Sequence, residues 1–531
     1  MTYNIYDVTI IRVVEIYDNE VKNMAGDTKK TRGLKRGAGL LLPISSLPSP
    51  YGIGTLGKEA YKFVDFLVEA GQSFWQVLPV GPTSYGDSPY QSFSAFAGNP
   101  YFIDLDYLVE EGLIETKDIK KYNWISNVEY VEYAMIYDSR FKVLRKAFEN
   151  SNHMGTQEYE KFIVDNAYWV DDYALYMAVK FHFDNKEWQQ WDNDIKFRTQ
   201  EALDRYRVEL KEELDFWKFC QYKFFEQWNR LRTYANEKGI EMIGDIPIYV
   251  AMDSADVWAH KELFELDEDV KPINVAGVPP DAFSEDGQLW GNPLYNWTAM
   301  EENGFSWWKE RMASNSKLYD YIRIDHFIGV VNYYSIPAGC SNAKLGEWRM
   351  GPGKKLTDAI DSAIGDAQII AEDLGVVSQP VKDLLSATGY PGMKIIEFAF
   401  DGGPDNDHLP HNYTPNSLVY GGTHDNETVA GYFGSKTKKE LKYAMEYMRV
   451  TEKDEIPDAV LRTAYASVSA IALFQVQDIL GLGNEARMNT PSTLGDNWKW
   501  RMKKGCLKKA HAKKLYKLAE FYARLPKKEE E

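Results

Sequence analysis

Three short stretches place ionisable groups where an apolar run ends. "YIRIDHF" (321–327) carries Arg323, Asp325 and His326, "IIAEDLG" (369–375) carries Glu372, and "GGTHDNET" (421–428) carries His424 and Asp425. The apolar and β-branched residues before each acid read as a strand, and the acids mark its carboxyl end. Several carboxylates without a metal motif suit glycosidic-bond cleavage. One carboxylic acid protonates the departing oxygen, and one carboxylate attacks or steadies the charge growing at the anomeric carbon. Arg323 lies two residues before Asp325 and so shares its strand face. Its permanent charge favours the ionised form of Asp325, as a nucleophile needs. Glu372 follows Ile369, Ile370 and Ala371 and would sit near two anions. Both influences raise its pKa and keep it protonated for acid duty. Each fragment alone is more often a helix cap or a structural ion pair than a catalytic group. Only their combination points to catalysis.

Such acids act together only if a fold brings them to one place. Eight short apolar runs end in Gly, Pro or polar residues: 37–47, 74–83, 240–250, 321–327, 368–375, 393–400, 417–427 and 472–483. Helical patterns such as 57–70 and 377–388 intervene. That alternation predicts parallel strands with crossover helices, an α/β fold, and eight strands suggest a TIM barrel. Strand ends in such a barrel share one rim, so Asp325, Glu372 and Asp425 can converge although distant in sequence. Residues 101–235 read as a helical insertion, and 251–320, rich in turn formers, as a second insertion containing a long functional loop. The domain reading is an extension over 1–36, a catalytic barrel over 37–524 and a charged tail over 525–531. Met24 opens a plausible start by itself, so residues 1–23 read as a non-essential extension, an artefact of start-site choice.

Composition narrows the function classes. A chain of 531 residues with a formal charge of −18 repels nucleic acid and anionic lipid, so neither is an expected partner. Its 35 Tyr and 15 Trp suit a core and also the flat apolar faces of sugars. Cys220, Cys340 and Cys506 are odd in number and far apart, which indicates neither a disulfide framework nor a zinc cluster. No run reaches the length of a membrane helix, and the N-terminus lacks the pattern of a secretory signal. A cytoplasmic protein without metal or other cofactor is expected.

Several motifs are decoys. "GIGTLG" (52–57) matches a dinucleotide fingerprint, but Pro48 and Pro50 stand where a strand is required. It reads instead as a glycine-rich entry to a helix. "GPGKKLTD" (351–358) lacks the P-loop spacing, and "DNDHLPH" (405–411) reads as a solvated loop rather than a metal site.

"RIDHF", "AEDLG" and "GTHDNETVAGYF" together resemble the catalytic motifs of the 4-α-glucanotransferases (amylomaltases, or disproportionating enzymes) of the α-amylase clan. The resemblance continues in "GLLLPISSLPSPYGIGTLG", "SYGDSPYQSFSAFAGNPY", "GDIPIYVAMDSADVW", "GQLWGNP" and "RMNTPST", and spans about residues 37–502. It implies a (β/α)8 TIM barrel with helical and loop insertions and no separate C-terminal β-domain. It further implies that Asp325 is the nucleophile of a covalent glycosyl-enzyme, Glu372 the general acid and then base, and Asp425 the transition-state stabiliser. Asp245, Arg323, His326 and His424 match positions lining that site. Gln288, Trp290 and Asn489 match sugar contacts, and Tyr85, Ser88 and Tyr90 match a glucan-contacting loop. Asp401 is a further candidate. The implied partners are malto-oligosaccharides and starch- or glycogen-type α-1,4-glucans, with glucose as an acceptor. Ile328 stands where many members have Arg, and "VVNYYSIPAG" replaces the commoner "FEAYWEVPAG"; both bear on chain-length preference. A hydrolase with the same carboxylates and a non-catalytic glucan binder are the competing classes.

Overall fold

The computed structural model describes residues 34–84, 86–280, 284–375 and 377–527. The extension read over the first 23 residues lies outside them, as does Tyr85. All eight expected runs supply a parallel strand: β1 Gly37–Leu41, β2 Phe74–Gln76, β3 Glu241–Pro247, β4 Tyr321–Asp325, β5 Gln368–Ala371, β6 Gly392–Ile395, β7 Ser417–Tyr420 and β8 Ile471–Gln475. Their order is β6-β7-β8-β1-β2-β3-β4-β5, with every neighbouring pair parallel. Between β5 and β6 the seam is drawn together by Ala371 N donating to Pro391 O at 3.0 Å and Met393 N donating to Asp373 Oδ1 at 2.7 Å. The fold is therefore a (β/α)8 barrel.

Strand alternation sorts the residues. Phe74, Ile243, Tyr321, Ile370, Met393, Leu418, Tyr420, Ile471 and Leu473 pack together inside the barrel. Their neighbours Trp75, Met242, Ile322, Ile369, Val419 and Ala472 face outward into the helix layer. β1 contributes Gly39, where a Cβ would fall 2.5 Å from Phe74 Cβ and against the Phe74 carbonyl, so the missing side chain lets the backbone of β2 approach closely. Along the interior rows the chemistry changes toward the carboxyl ends. Ile243 gives way to Asp245, Tyr321 to Arg323 and Asp325, and Ile370 to Glu372.

Several runs outlast their strands. The 393–400 run leaves β6 at Ile395 and turns as a 3₁₀ segment over Ile396–Phe398. The 472–483 run becomes helix Val476–Leu480 after β8. An unbroken apolar run has no period that distinguishes a strand from a buried turn or helix. Between β2 and β3 lie helices running from Leu105–Glu110 to the 27-residue Lys211–Glu237, whose Trp217, Phe219, Phe224 and Trp228 are buried. Residues 251–320 are more ordered than a long loop. They hold Ala255–Ala259, Trp297–Glu302 and Ser306–Leu318 as helices, with strands Asn274–Val278 and Gln288–Pro293. These strands join Asn332–Pro337 and Glu347–Met350 in an antiparallel sheet, so pairing with residues beyond β4 organises the stretch.

Among the described residues, helix and loop follow β8, and helix Lys509–Phe521 packs on Lys58–Glu69. Arg524 then donates to the carbonyls of Gly37, Ala464, Tyr465, Ser467, Ser469 and Ala470, which ties the chain end to the amino-terminal mouth of the barrel. "GIGTLG" leads into Lys58–Glu69 with Gly57 as N-cap. In "DNDHLPH", His408 Nδ1 accepts from Ile395 N at 3.1 Å, which docks that loop on β6.

Candidate active site

The register of three neighbouring strands builds the rim. Asp245 pairs with Arg323 and Pro247 with Asp325 across β3 and β4, while Ile324 pairs with Ala371 across β4 and β5. Asp325 and Glu372 are each one step further along adjacent strands, whose spacing is about 4.8 Å. Arg323 is the hub. Its Nη1 donates to both Asp245 oxygens at 2.7 Å and to Asp325 Oδ1 at 2.9 Å. Its side chain is 2 % exposed and that of Asp245 0 %, whereas Asp325 retains 28 %, so of the three the nucleophile candidate is the one that reaches the cleft. Burial works against the Arg323 charge, but Asp245 and Asp325 more than restore it.

Glu372 is held differently. Its Oε2 accepts from His326 N at 2.6 Å and its Oε1 from Leu374 N at 2.7 Å. His326 reaches that carboxyl because it adopts a left-handed conformation, φ 54° and ψ 45°, directly after β4. A non-glycine residue in this region is uncommon and marks a turn fixed by its surroundings. Burial, reinforced by the Asp325 charge, pushes Glu372 up to about 8 despite the two backbone donors. Burial also takes His326 down to about 4, so its ring is neutral at physiological pH. Its ring meets Trp290 edge to face, with centroids 4.8 Å apart, and Trp290 Nε1 donates to Gln288 Oε1 at 3.1 Å.

The third acid stands on the loop after β7. Asp425 Oδ1 accepts from Asn489 Nδ2 at 2.6 Å, and its Oδ2 lies 3.3 Å from His424 Nε2. Burial acts to raise Asp425, but His424 and the Asn489 amide hold it well below the usual carboxylate range. The reciprocal effect lifts His424 above the ordinary imidazole value although burial opposes it. Tyr90 joins the groups: its hydroxyl donates to Asp245 Oδ2 at 3.0 Å and its ring stacks on His424 with centroids 5.2 Å apart. Ser88 turns back on its own loop, its Oγ accepting from Tyr90 N at 3.2 Å, so it shapes the turn that presents Tyr90. Asp401 is exposed and accepts from the Tyr432 hydroxyl at 3.0 Å. Ile328 is buried in the 3₁₀ turn Phe327–Val330.

Three neighbours escaped the sequence reading. Arg487 donates from Nη2 to Asp425 O and from Nε to Asn489 O, both at 2.7 Å, and so fixes the backbone around the third acid. Its place two residues before Asn489 in "RMNTPST" was an available signal. Trp498 stands 5.6 Å from the Tyr90 ring and 5.8 Å from the His424 ring, and Tyr249 stands 6.4 Å from Trp290. Local sequence carries no sign of either contact.

This arrangement presents a charged hub beside one carboxylate, a raised carboxyl beside it, a depressed carboxylate opposite, and aromatic walls. Comparison with known proteins gives a concordant result. The family profile described as 4-alpha-glucanotransferase matches residues 42–508. A 4-alpha-glucanotransferase from Clostridium butyricum is 51 % identical over 485 residues, covering 91 % of this chain and 99 % of that protein. One from Streptococcus pneumoniae is 48 % identical over 494 residues, covering 92 % and 98 %. The solved amylomaltase from Streptococcus agalactiae in complex with acarbose superposes with a TM-score of 0.90 at 46 % identity, covering 93 % of this chain and 100 % of that one.

Proposed function

This chain belongs to the 4-alpha-glucanotransferase family, and we propose that its rim carboxylates perform a double displacement on α-1,4-glucans. The enzyme moves glucan segments from a donor malto-oligosaccharide to the 4-hydroxyl of an acceptor glucan or glucose. Asp325 attacks the anomeric carbon while Glu372 delivers its proton to the departing glycosidic oxygen, so the leaving chain is neutral when it goes. Glu372, now ionised, takes the proton of the acceptor hydroxyl as that oxygen displaces Asp325. Two inversions retain the α configuration, and the carboxyl separation suited to this route is about 5–5.5 Å. Asp425, with Asn489 and His424, grips sugar hydroxyls where positive charge develops. Asp245 and Arg323 hold Asp325 in place, and Tyr90 packs along the sugar. The observation that carries this reading is the strand register seating Asp325 beside Glu372, with the latter's pKa raised to about 8.

Transfer requires that an acceptor beat water at the intermediate. An acceptor bound in the correct geometry gains on the order of 7 kcal/mol from proximity and orientation. Trp290, Gln288 and the 84–101 segment are the surfaces we assign to that task. The free thiols of Cys220, Cys340 and Cys506 support a reducing, cytoplasmic setting. Among the described residues no helix is long and apolar enough to cross a membrane.

Maltotriose tests the proposal. A ladder of longer oligomers plus glucose is expected. Shorter sugars alone would make the enzyme a hydrolase, and binding without any product would make it a glucan binder.

A further inference from the structure

The same rim holds two acids that the reaction above does not use, Glu397, which is buried, and Asp478, which is half-buried. Glu397, two residues beyond β6, is 1 % exposed, and its Oε1 is buried with no hydrogen-bond partner. Its backbone N–H donates to Gly421 O at 3.1 Å, and a Cβ placed on Gly422 would lie 2.6 Å from Glu397 Oε1. The carboxyl therefore rests directly against the backbone where the loop after β7 begins. Asn426 crowds the same side, its Cβ 2.8 Å from that Gly422 position. At the other end of the loop, Asp478 Oδ1 accepts from Val429 N at 2.8 Å, and Asp478 Oδ2 is buried without a partner. Between these contacts Thr423 N and Oγ1 donate to Asn426 Oδ1 at 2.8 and 2.9 Å, closing a turn with His424 and Asp425 at its crest.

We propose that Glu397 is a positioning residue for the reaction: its carboxyl, wedged against Gly422 while Asp478 anchors the far end, sets how far the loop carries His424 and Asp425 into the cleft. This rests on the role given to Asp425 above. Burial, followed by the facing Asp478 and Glu427, pushes the Glu397 carboxyl well above the usual range, with Arg487 and Lys436 opposing. It therefore acts as an uncharged spacer, and glutamine is its isosteric substitute. A displacement of about 1 Å at a catalytic group costs up to about 100-fold in rate.

The test compares E397A, E397Q, D425N and E397A/D425N with an α-maltosyl fluoride donor and maltose acceptor. Fluoride leaves without protonation, so residual rates remain measurable. E397A is expected to lower kcat by about 10- to 100-fold with KM within about threefold, and E397Q to recover most of it. In the D425N background E397A should cause no further loss, because Glu397 acts through Asp425. Should E397A fail to fold, G422A presses on the same contact from the loop side and must lower kcat at constant KM. Wild-type kcat in folded E397A or in G422A overturns the proposal, as does an equal fold-loss from E397A in both backgrounds. Full activity of D425N would instead overturn the role of Asp425 itself.

Discussion

Replacing Glu372 with glutamine should make the protein's stability, measured against wild type, rise with pH. Glu372 is pushed up to about 8 in the folded chain from an ordinary 4.5. Below the ordinary value the carboxyl is protonated in both folded and unfolded chains, and its contribution to stability is fully present. Between the two values folding must take up a proton, so the contribution is lost as pH rises through the folded pKa. Well inside that window each pH unit removes about 1.36 kcal/mol from wild type, and the slope eases as pH reaches the folded pKa, so the loss between pH 6 and 8 is about 2 kcal/mol. A glutamine amide cannot ionise, so E372Q escapes this loss. The amide nitrogen would oppose one of the two backbone donors, His326 N or Leu374 N, at a cost of about 1–3 kcal/mol. That cost is the same at both pH values, so it cancels from the pH dependence. Urea unfolding followed by tryptophan fluorescence at pH 6 and 8 gives the two differences between E372Q and wild type. They should differ by about 2 kcal/mol in favour of the variant at pH 8. A difference independent of pH would refute a buried, raised Glu372 and, with it, the assignment of this group as the acid.

Other outcomes follow from the same geometry. Asp325→Asn should lower transfer by at least about 10³-fold while leaving the circular dichroism spectrum unchanged, and retained turnover would move the nucleophile elsewhere. Trp290→Ala should remove about 1.4 kcal/mol of acceptor stacking and lower the ratio of transfer to hydrolysis about tenfold; equal loss in both reactions would refute an acceptor-side role. Arg524→Met removes one donor from each of six carbonyls at the base of the barrel. Gly37 N still reaches Ala470 O, Ser467 N still reaches Ala464 O, and Arg36 still reaches the carbonyls of Tyr465, Ser467 and Ser469, so the cost should be about 1–3 kcal/mol of unfolding free energy. An unchanged thermal midpoint in that variant would show that the remaining donors, Arg36 among them, satisfy those carbonyls without Arg524.

Side-chain types along the chain were enough to locate the strands and most of the ionisable groups that meet at the rim. Strand residues such as Ile322 and Ile324 advertise burial through side-chain type, and Arg323 and Asp325 advertise a shared face through the two-residue period. The motif resemblance covers the stretches that carry the rim carboxylates and the loops around them, which is why it reached Asp245, Trp290 and Asn489, far apart in the chain. Residues 251–320 escaped because a strand partner is a non-local property: Asn274–Val278 pairs with Asn332–Pro337, across β4. The surroundings that two neighbouring acids meet come from the closed barrel. Glu372 and Asp373 are adjacent, yet one meets the Asp325 field inside the rim and the other accepts Met393 N across the barrel seam. Barrel closure likewise set Arg487 and Glu397 around the Asp425 loop. Side-chain type is written in the sequence, whereas the field and the hydrogen-bond partners that fix a carboxyl's protonation come from atoms brought close only when the barrel closes.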